Sequence, residues 1–165
     1  MRVLLAPGAS GTAASLAGAV EGLRRRGVEA VAIDVPRSDV QRAARRFLEL
    51  ARPEDVVAGQ SFGGRAASLA AAAAPFAACV MFSYPLSGKP DERTAHWPRI
   101  ACPALVLNGE RDPMSPIAEV RRLVPLLPRG RLVAFPGAGH GLRDALEAKL
   151  DAAADFVLNL GTALP

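Results

Sequence analysis

The chain has 165 residues, half of them hydrophobic and 22% charged, enough for about one domain, residues 1–165, with a sizeable core. No stretch reaches the roughly 20 apolar residues of a membrane span, and residue 1 leads straight into a strand-like run without a secretory leader, so a cytoplasmic protein with no membrane partner is expected. A net charge of +4 raises a nucleic-acid partner, but the arginines of "LRRRG", "RAARRF" and "EVRRL" alternate with apolar helix positions, which favours solvated helix faces and no nucleic acid.

In chain order the pattern repeats as apolar run, loop and amphipathic helix. Residues 2–6 (RVLLA) read as a buried strand, and Ala13, Leu16, Ala17, Val20 and Leu23 follow at helical spacing until Gly27 offers a stop. Residues 28–35 (VEAVAIDV) are a second strand. Val40, Ala43, Ala44, Phe47 and Leu48 mark a second helix, begun by Ser38 or Asp39. A third strand at 55–61 (DVVAGQS) runs at once into the small-residue helix GGRAASLAAAAA, which Pro75 ends. Residues 78–83 (ACVMFS) and 104–109 (ALVLNG) are the fourth and fifth strands, and the fifth is followed by a helix carrying Ile117, Val120, Leu123 and Leu127. A sixth strand at 131–136 (RLVAFP) precedes a last helix carrying Leu142, Leu146, Leu150, Ala153 and Val157, with Asp144 as its expected cap. The proline- and charge-rich residues 84–103 are expected to be an irregular loop near a strand end.

Continuous apolar strands alternating with helices imply a parallel sheet covered on both faces, a three-layer α/β/α domain. Cys79 and Cys102 lie in apolar surroundings without a C-x-x-C spacing and are expected to be buried free thiols.

The segment AGQSFGG places Gly59, Ser61 and Gly63 in a G-x-S-x-G pattern between a strand and a helix. A serine on so tight a turn lifts its hydroxyl above the sheet edge, and its glycine neighbours are needed where side chains would collide. Such a nucleophile needs a base, and the chain has two histidines. His140 lies in the glycine-rich PGAGHGL after the last strand, a setting that suits a base, whereas His96 beside Trp97 reads as an ordinary loop histidine. Asp112, at the carboxyl end of the fifth strand, is the expected partner of His140, with Asp34 the weaker candidate. The order Ser61, Asp112, His140 is the one expected for a nucleophile elbow in such a sheet.

The turn PGASGT after the first strand lacks both the G-K-[ST] ending of a phosphate loop and the third glycine of G-x-G-x-x-G, and the two lysines, Lys89 and Lys149, are not placed to serve one. A loop beside Ser61 can instead offer backbone N–H groups to the oxyanion of a tetrahedral intermediate. The expected donors are those of Phe62 and Ala9, with Gly8 or Ser10 as alternatives to Ala9.

The segments APGASG, GQSFGGRAAS, YPLSGKP and NGERDPMS resemble the α/β-hydrolase superfamily. The chain resembles a small, lidless serine hydrolase of the branch of small α/β-hydrolase-like proteins that includes dienelactone-hydrolase-type proteins and a domain of an animal chromatin acetyltransferase complex. The resemblance implies six parallel strands in the order 2-1-3-4-5-6 and a Ser-Asp-His triad at Ser61, Asp112 and His140. Pro7-Gly8 stands where many relatives have His-Gly, the chain begins at what would be the fold's third strand, and the elbow holds serine where dienelactone hydrolases hold cysteine.

The expected activity is cleavage of small or short-chain acyl esters through an acyl-enzyme, without metal or organic cofactor. Tyr84, Trp97 and Met114, near strand ends, are candidates to line the acyl pocket. The competing expectation is a catalytically silent interaction domain on the same fold, and the open edge at the second strand leaves monomer and homodimer as alternatives.

Overall fold

The six apolar runs become six parallel strands in a computed structural model that describes residues 1–161. They are β1 (Val3–Ala6), β2 (Ala30–Ala32), β3 (Val56–Gln60), β4 (Ala78–Phe82), β5 (Ala104–Gly109) and β6 (Gly130–Phe135), arranged β2-β1-β3-β4-β5-β6. Every residue of β1, β4 and β5 is buried, as expected for strands covered on both faces, whereas the edge strand β6 is mostly half-buried.

Six α-helices cover the sheet: α1 (Ala17–Arg25), α2 (Val40–Leu50), α3 (Phe62–Ala71), α4 (Pro90–Thr94), α5 (Ile117–Leu123) and α6 (Leu146–Leu158). Side chains that alternate along a strand go to opposite cores. Leu4, Val57, Cys79, Met81 and Val106 pack with Phe47 of α2 and Ala66 and Ala70 of α3. Val3, Leu5, Val56, Ala58, Val80 and Leu107 pack with Val20 and Leu23 of α1 and Leu150 and Val157 of α6. Cys79 and Cys102 are free thiols, both buried, and burial pushes both pKa values up.

Several boundaries differ from the sequence reading, and Leu127 and Leu142 lie outside the helices that their spacing predicts, because α5 ends at Leu123 and α6 starts only at Leu146, after the chain has turned through Leu142 at φ 51°. The second strand is three residues instead of eight, because Val28 still closes the end of α1 through the Leu23 carbonyl and residues beyond Ile33 run past the end of β1. Residues 84–103 are not all loop: α4 starts at Pro90, and Trp97–Arg99 form a 3-10 turn. A proline at the first helical position, followed by Asp91 and Glu92, favours a helix start where a proline further in would break one. Asp144 does not cap α6, whose N-cap is Ala145 with no side-chain hydrogen bond, since the helix begins one residue too late for Asp144 to reach it. Asp39, by contrast, caps α2 through the N–H groups of Gln41 and Arg42.

Candidate active site

The turn from β3 into α3 is built by steric exclusion. Ser61 sits at φ 50° and ψ −110°, a left-handed backbone that a non-glycine residue adopts only where its surroundings force it. Its glycine neighbours are forced too. A Cβ on Gly59 would lie 2.1 Å from the carbonyl carbon of Gly63, and one on Gly63 would lie 2.4 Å from the carbonyl oxygen of Ala6. The second contact presses the turn against the end of β1, so the loop after β1 lies beside Ser61. A Cβ on Gly8 would be 3.8 Å from the Ser61 Cβ.

Asp112 and His140 come from turns after β5 and β6. The Asp112 turn is closed by its own N–H on the Gly109 carbonyl at 3.2 Å, and the next turn docks where Arg111 N–H donates to Ala138 O at 3.0 Å. His140 Nδ1 is 2.7 Å from Asp112 Oδ2 and its Nε2 is 2.9 Å from Ser61 Oγ. A carboxylate only accepts hydrogen bonds, so Nδ1 carries the proton and Nε2 presents its lone pair to the serine hydroxyl. The Asp112 side chain is wholly buried while that of His140 is 25% exposed, which leaves the imidazole within reach of water. The other carboxylate oxygen of Asp112 accepts from Met114 N–H at 2.8 Å. The structure thus brings together all three residues singled out from the sequence.

Phe62 begins α3, so its N–H has no partner inside the helix and lies at the positive end of the helix dipole. Ala9 and Ser10 are exposed in a turn closed by Gly11 N–H on Gly8 O at 3.0 Å, and of this loop it is Gly8 that lies against the elbow.

The other candidates divide. Tyr84 and Trp97 are fully buried, stacked edge to face with ring centroids 5.0 Å apart, and the Tyr84 hydroxyl donates to Arg93 O at 2.6 Å. They belong to the core beneath α4 instead of an open acyl pocket, because both are wholly enclosed and the edge of one ring packs on the face of the other. Met114 is 39% exposed beside Asp112. Asp34 accepts from Ala13 N–H at 2.7 Å and so anchors the turn leading into α1. His96 lies 2.8 Å from Ser68 Oγ, and burial, with Arg99 and Arg65 nearby, lowers its pKa to about 4. It is a neutral structural histidine.

Two polar residues that the sequence reading passed over support the site. Gln60 Nε2 donates to His140 O at 3.2 Å, and the buried Asn108 Nδ2 donates to Gly109 O and Ser115 O at 2.9 Å each, closing the Asp112 turn. Their only signal is position: Gln60 immediately precedes Ser61, and Asn108 precedes the close-packed Gly109. Among the described residues no group of three or more His, Cys, Asp or Glu is placed to hold a metal, and no helix is long and apolar enough to cross a membrane. A groove of about 960 Å³ between β6 and α6 is walled by residues such as Arg131, Val133 and Phe156, and none of Ser61, Asp112 and His140 lines it.

With this geometry in hand, comparison with protein families matches the alpha/beta hydrolase domain over residues 17–156. The chain belongs to the α/β-hydrolase family. Among solved structures, this α/β-hydrolase is similar to a monoacylglycerol lipase of Paleococcus ferrophilus, at 17% identity and a TM-score of 0.82, covering 96% of this chain and 94% of that one. It is also similar to a dienelactone hydrolase of Anabaena variabilis, at 23% identity and a TM-score of 0.79, covering 95% and 85%. A third likeness is to Est1E of Butyrivibrio proteoclasticus, solved with ferulic acid, at 17% identity and a TM-score of 0.81, covering 98% and 90%. At these identities the likeness is one of fold.

Proposed function

We propose that this α/β-hydrolase is a serine esterase that cleaves small or short-chain acyl esters through a covalent acyl-enzyme. The observation that carries the proposal is the unbroken relay Ser61 Oγ, His140 Nε2, His140 Nδ1, Asp112 Oδ2, with contacts of 2.9 and 2.7 Å at its two ends. His140 takes the Ser61 proton as Oγ attacks the ester carbonyl, and Asp112 stabilises the imidazolium. The tetrahedral oxyanion rests on the Phe62 N–H and on an N–H of the loop after β1, from Ala9 or its neighbours Gly8 and Ser10. As the C–O bond breaks, imidazolium protonates the departing alkoxide. Water that loses a proton to His140 then attacks the acyl-enzyme, and the acid leaves as Ser61 regains its proton.

The preference for small substrates rests on residues 84–103, the connection between β4 and β5. Tyr84 and Trp97 draw it down into the core, and α4 is only five residues long, so little of it is left to roof a long acyl chain.

Labelling by a fluorophosphonate probe, with turnover of p-nitrophenyl acetate and butyrate alongside, tests the proposal. Labelling and turnover are expected in the wild type and abolished in Ser61→Ala. A well-folded wild type that neither labels nor turns over ester would overturn the proposal and make the chain an interaction domain on a hydrolase fold.

A further inference from the structure

The histidine of this relay sits on a glycine-rich turn held by a few backbone hydrogen bonds, Ala138 N–H on Phe135 O at 3.3 Å, Leu142 N–H on Gly139 O at 3.1 Å and Arg111 N–H on Ala138 O at 3.0 Å. Residues 137–141 include Gly137, Gly139 and Gly141, and a Cβ on Gly137 or Gly139 would meet nothing within 4 Å. Glycines lose more conformational freedom on ordering than other residues, so the His140 position depends on what grips the backbone. To these backbone bonds two side chains add their own, on consecutive carbonyls. Gln60 Nε2 donates to His140 O and Lys149 Nζ to Gly141 O, each at 3.2 Å.

The two come from different layers. Gln60 ends β3, one residue before Ser61, whereas Lys149 lies in the first turn of α6. With Leu5, Leu16, Leu23 and Phe82 they border a cavity of about 40 Å³, so both hydrogen bonds are made in apolar surroundings, where they are stronger than in water. Lys149 is only 9% exposed and its hydrogen bond is to a carbonyl instead of a carboxylate. Burial, with Arg143 nearby, lowers its pKa. A buried lysine without a carboxylate is uncommon and costs desolvation that a methionine of similar shape would avoid. What the lysine adds is its hold on the turn.

We infer that Gln60 and Lys149 are positioning residues for the base of the proposed esterase, clamping the carbonyls of His140 and Gly141 so that the imidazole stays in line with Ser61. The inference rests on that esterase reading. Neither residue contacts the reacting atoms, so loosening the clamp lowers the fraction of time His140 is aligned and leaves binding of a small ester unchanged.

The experiment compares wild type, Gln60→Met, Lys149→Met, the double variant and Lys149→Arg, reading fluorophosphonate labelling rate, kcat and KM for p-nitrophenyl acetate, and Tm. Each Met variant is expected to lose roughly 10- to 100-fold in kcat and labelling rate, the range that small misplacements of a reacting group produce, with KM unchanged. The double variant should lose less than the product of the singles, because both act on one turn, and Lys149→Arg should recover part of the loss. Folded Met variants with wild-type kcat and labelling rate would overturn the inference while leaving the esterase reading intact. So would a loss that tracks only the unfolded fraction and is not recovered by arginine. Should Lys149→Met fail to fold, Gln60→Met at its half-buried position decides by the same criteria. A folded but inert wild type would remove the esterase reading, and the clamp with it.

Discussion

A Cβ placed on Gly109 would lie 2.2 Å from the carbonyl oxygen of Ala138, so the end of β5 and the turn that carries His140 touch through bare backbone. Gly109→Ala must therefore push the His140 turn away from the Asp112 turn. Overpacking of this kind costs about 1–3 kcal/mol. A lowered Tm and a disproportionately lowered kcat are expected, because the displacement falls between His140 and Asp112, the proposed base and its acid partner. Thermal melts with p-nitrophenyl acetate turnover check this, and unchanged turnover would mean that the turns yield without moving the imidazole.

Asp112→Asn keeps the shape of the buried side chain but can present an N–H to His140 Nδ1. The imidazole then adopts the tautomer protonated at Nε2, and Ser61 faces a donor instead of a base. A fall in kcat of about 10⁴-fold is expected, the size seen when a serine hydrolase histidine is held in the wrong tautomer. Steady-state kinetics on the folded variant provide the measurement. A loss under tenfold would place the orienting acid elsewhere.

His96 gives the stability a pH dependence unrelated to the site. Its pKa is about 4 in the folded protein against 6.5 for the free side chain, so between those values the unfolded chain binds more proton. Stability is therefore full above about pH 6.5 and declines as pH falls towards 4, by up to about 3 kcal/mol. Denaturant titrations of wild type and His96→Asn across this range should show the slope flattened in the variant. Parallel slopes would assign the acid sensitivity to other groups.

Asp55 acts in a lower pH window. Burial opposes its charge, but hydrogen bonds from Arg2, side chain and backbone, and from Arg52 N–H outweigh it and bring the pKa from 3.8 to about 2. The stabilisation is complete above pH 3.8 and is lost as pH falls towards 2, amounting to about 2 kcal/mol. Asp55→Asn should cost about that much at pH 7, read from the denaturant midpoint, and the difference from wild type should shrink in acid.

The strands were legible because continuous apolar runs announce a sheet covered on both faces, and Ser61, Asp112 and His140 because each sits in a turn whose glycines or position mark it locally. What the sequence hid was contact at a distance. Nothing near Tyr84 or Trp97 says that they pack edge to face in the core, and Pro90 reads as a breaker until its place at the head of α4 is known. Gln60 and Lys149 meet the His140 turn from 80 and 8 residues away, with no periodicity to betray them. The missed cap at Asp144 is an offset of one residue, finer than hydrophobic spacing resolves.

Between the strand that delivers Ser61 and the strand that delivers Asp112 lies β4. Two strand intervals span roughly 9–10 Å, a gap that one imidazole with a hydrogen bond at either end can bridge. β4 is in effect a ruler, and its graduation is the spacing of peptide hydrogen bonds, which no side chain sets. Its five residues are all buried, so their types are limited by what fits the two cores, but the span they set is the same for any of those types. The same strand spacing recurs wherever this sheet is built, and TM-scores near 0.8 at 17–23% identity show that fold on largely different sequences.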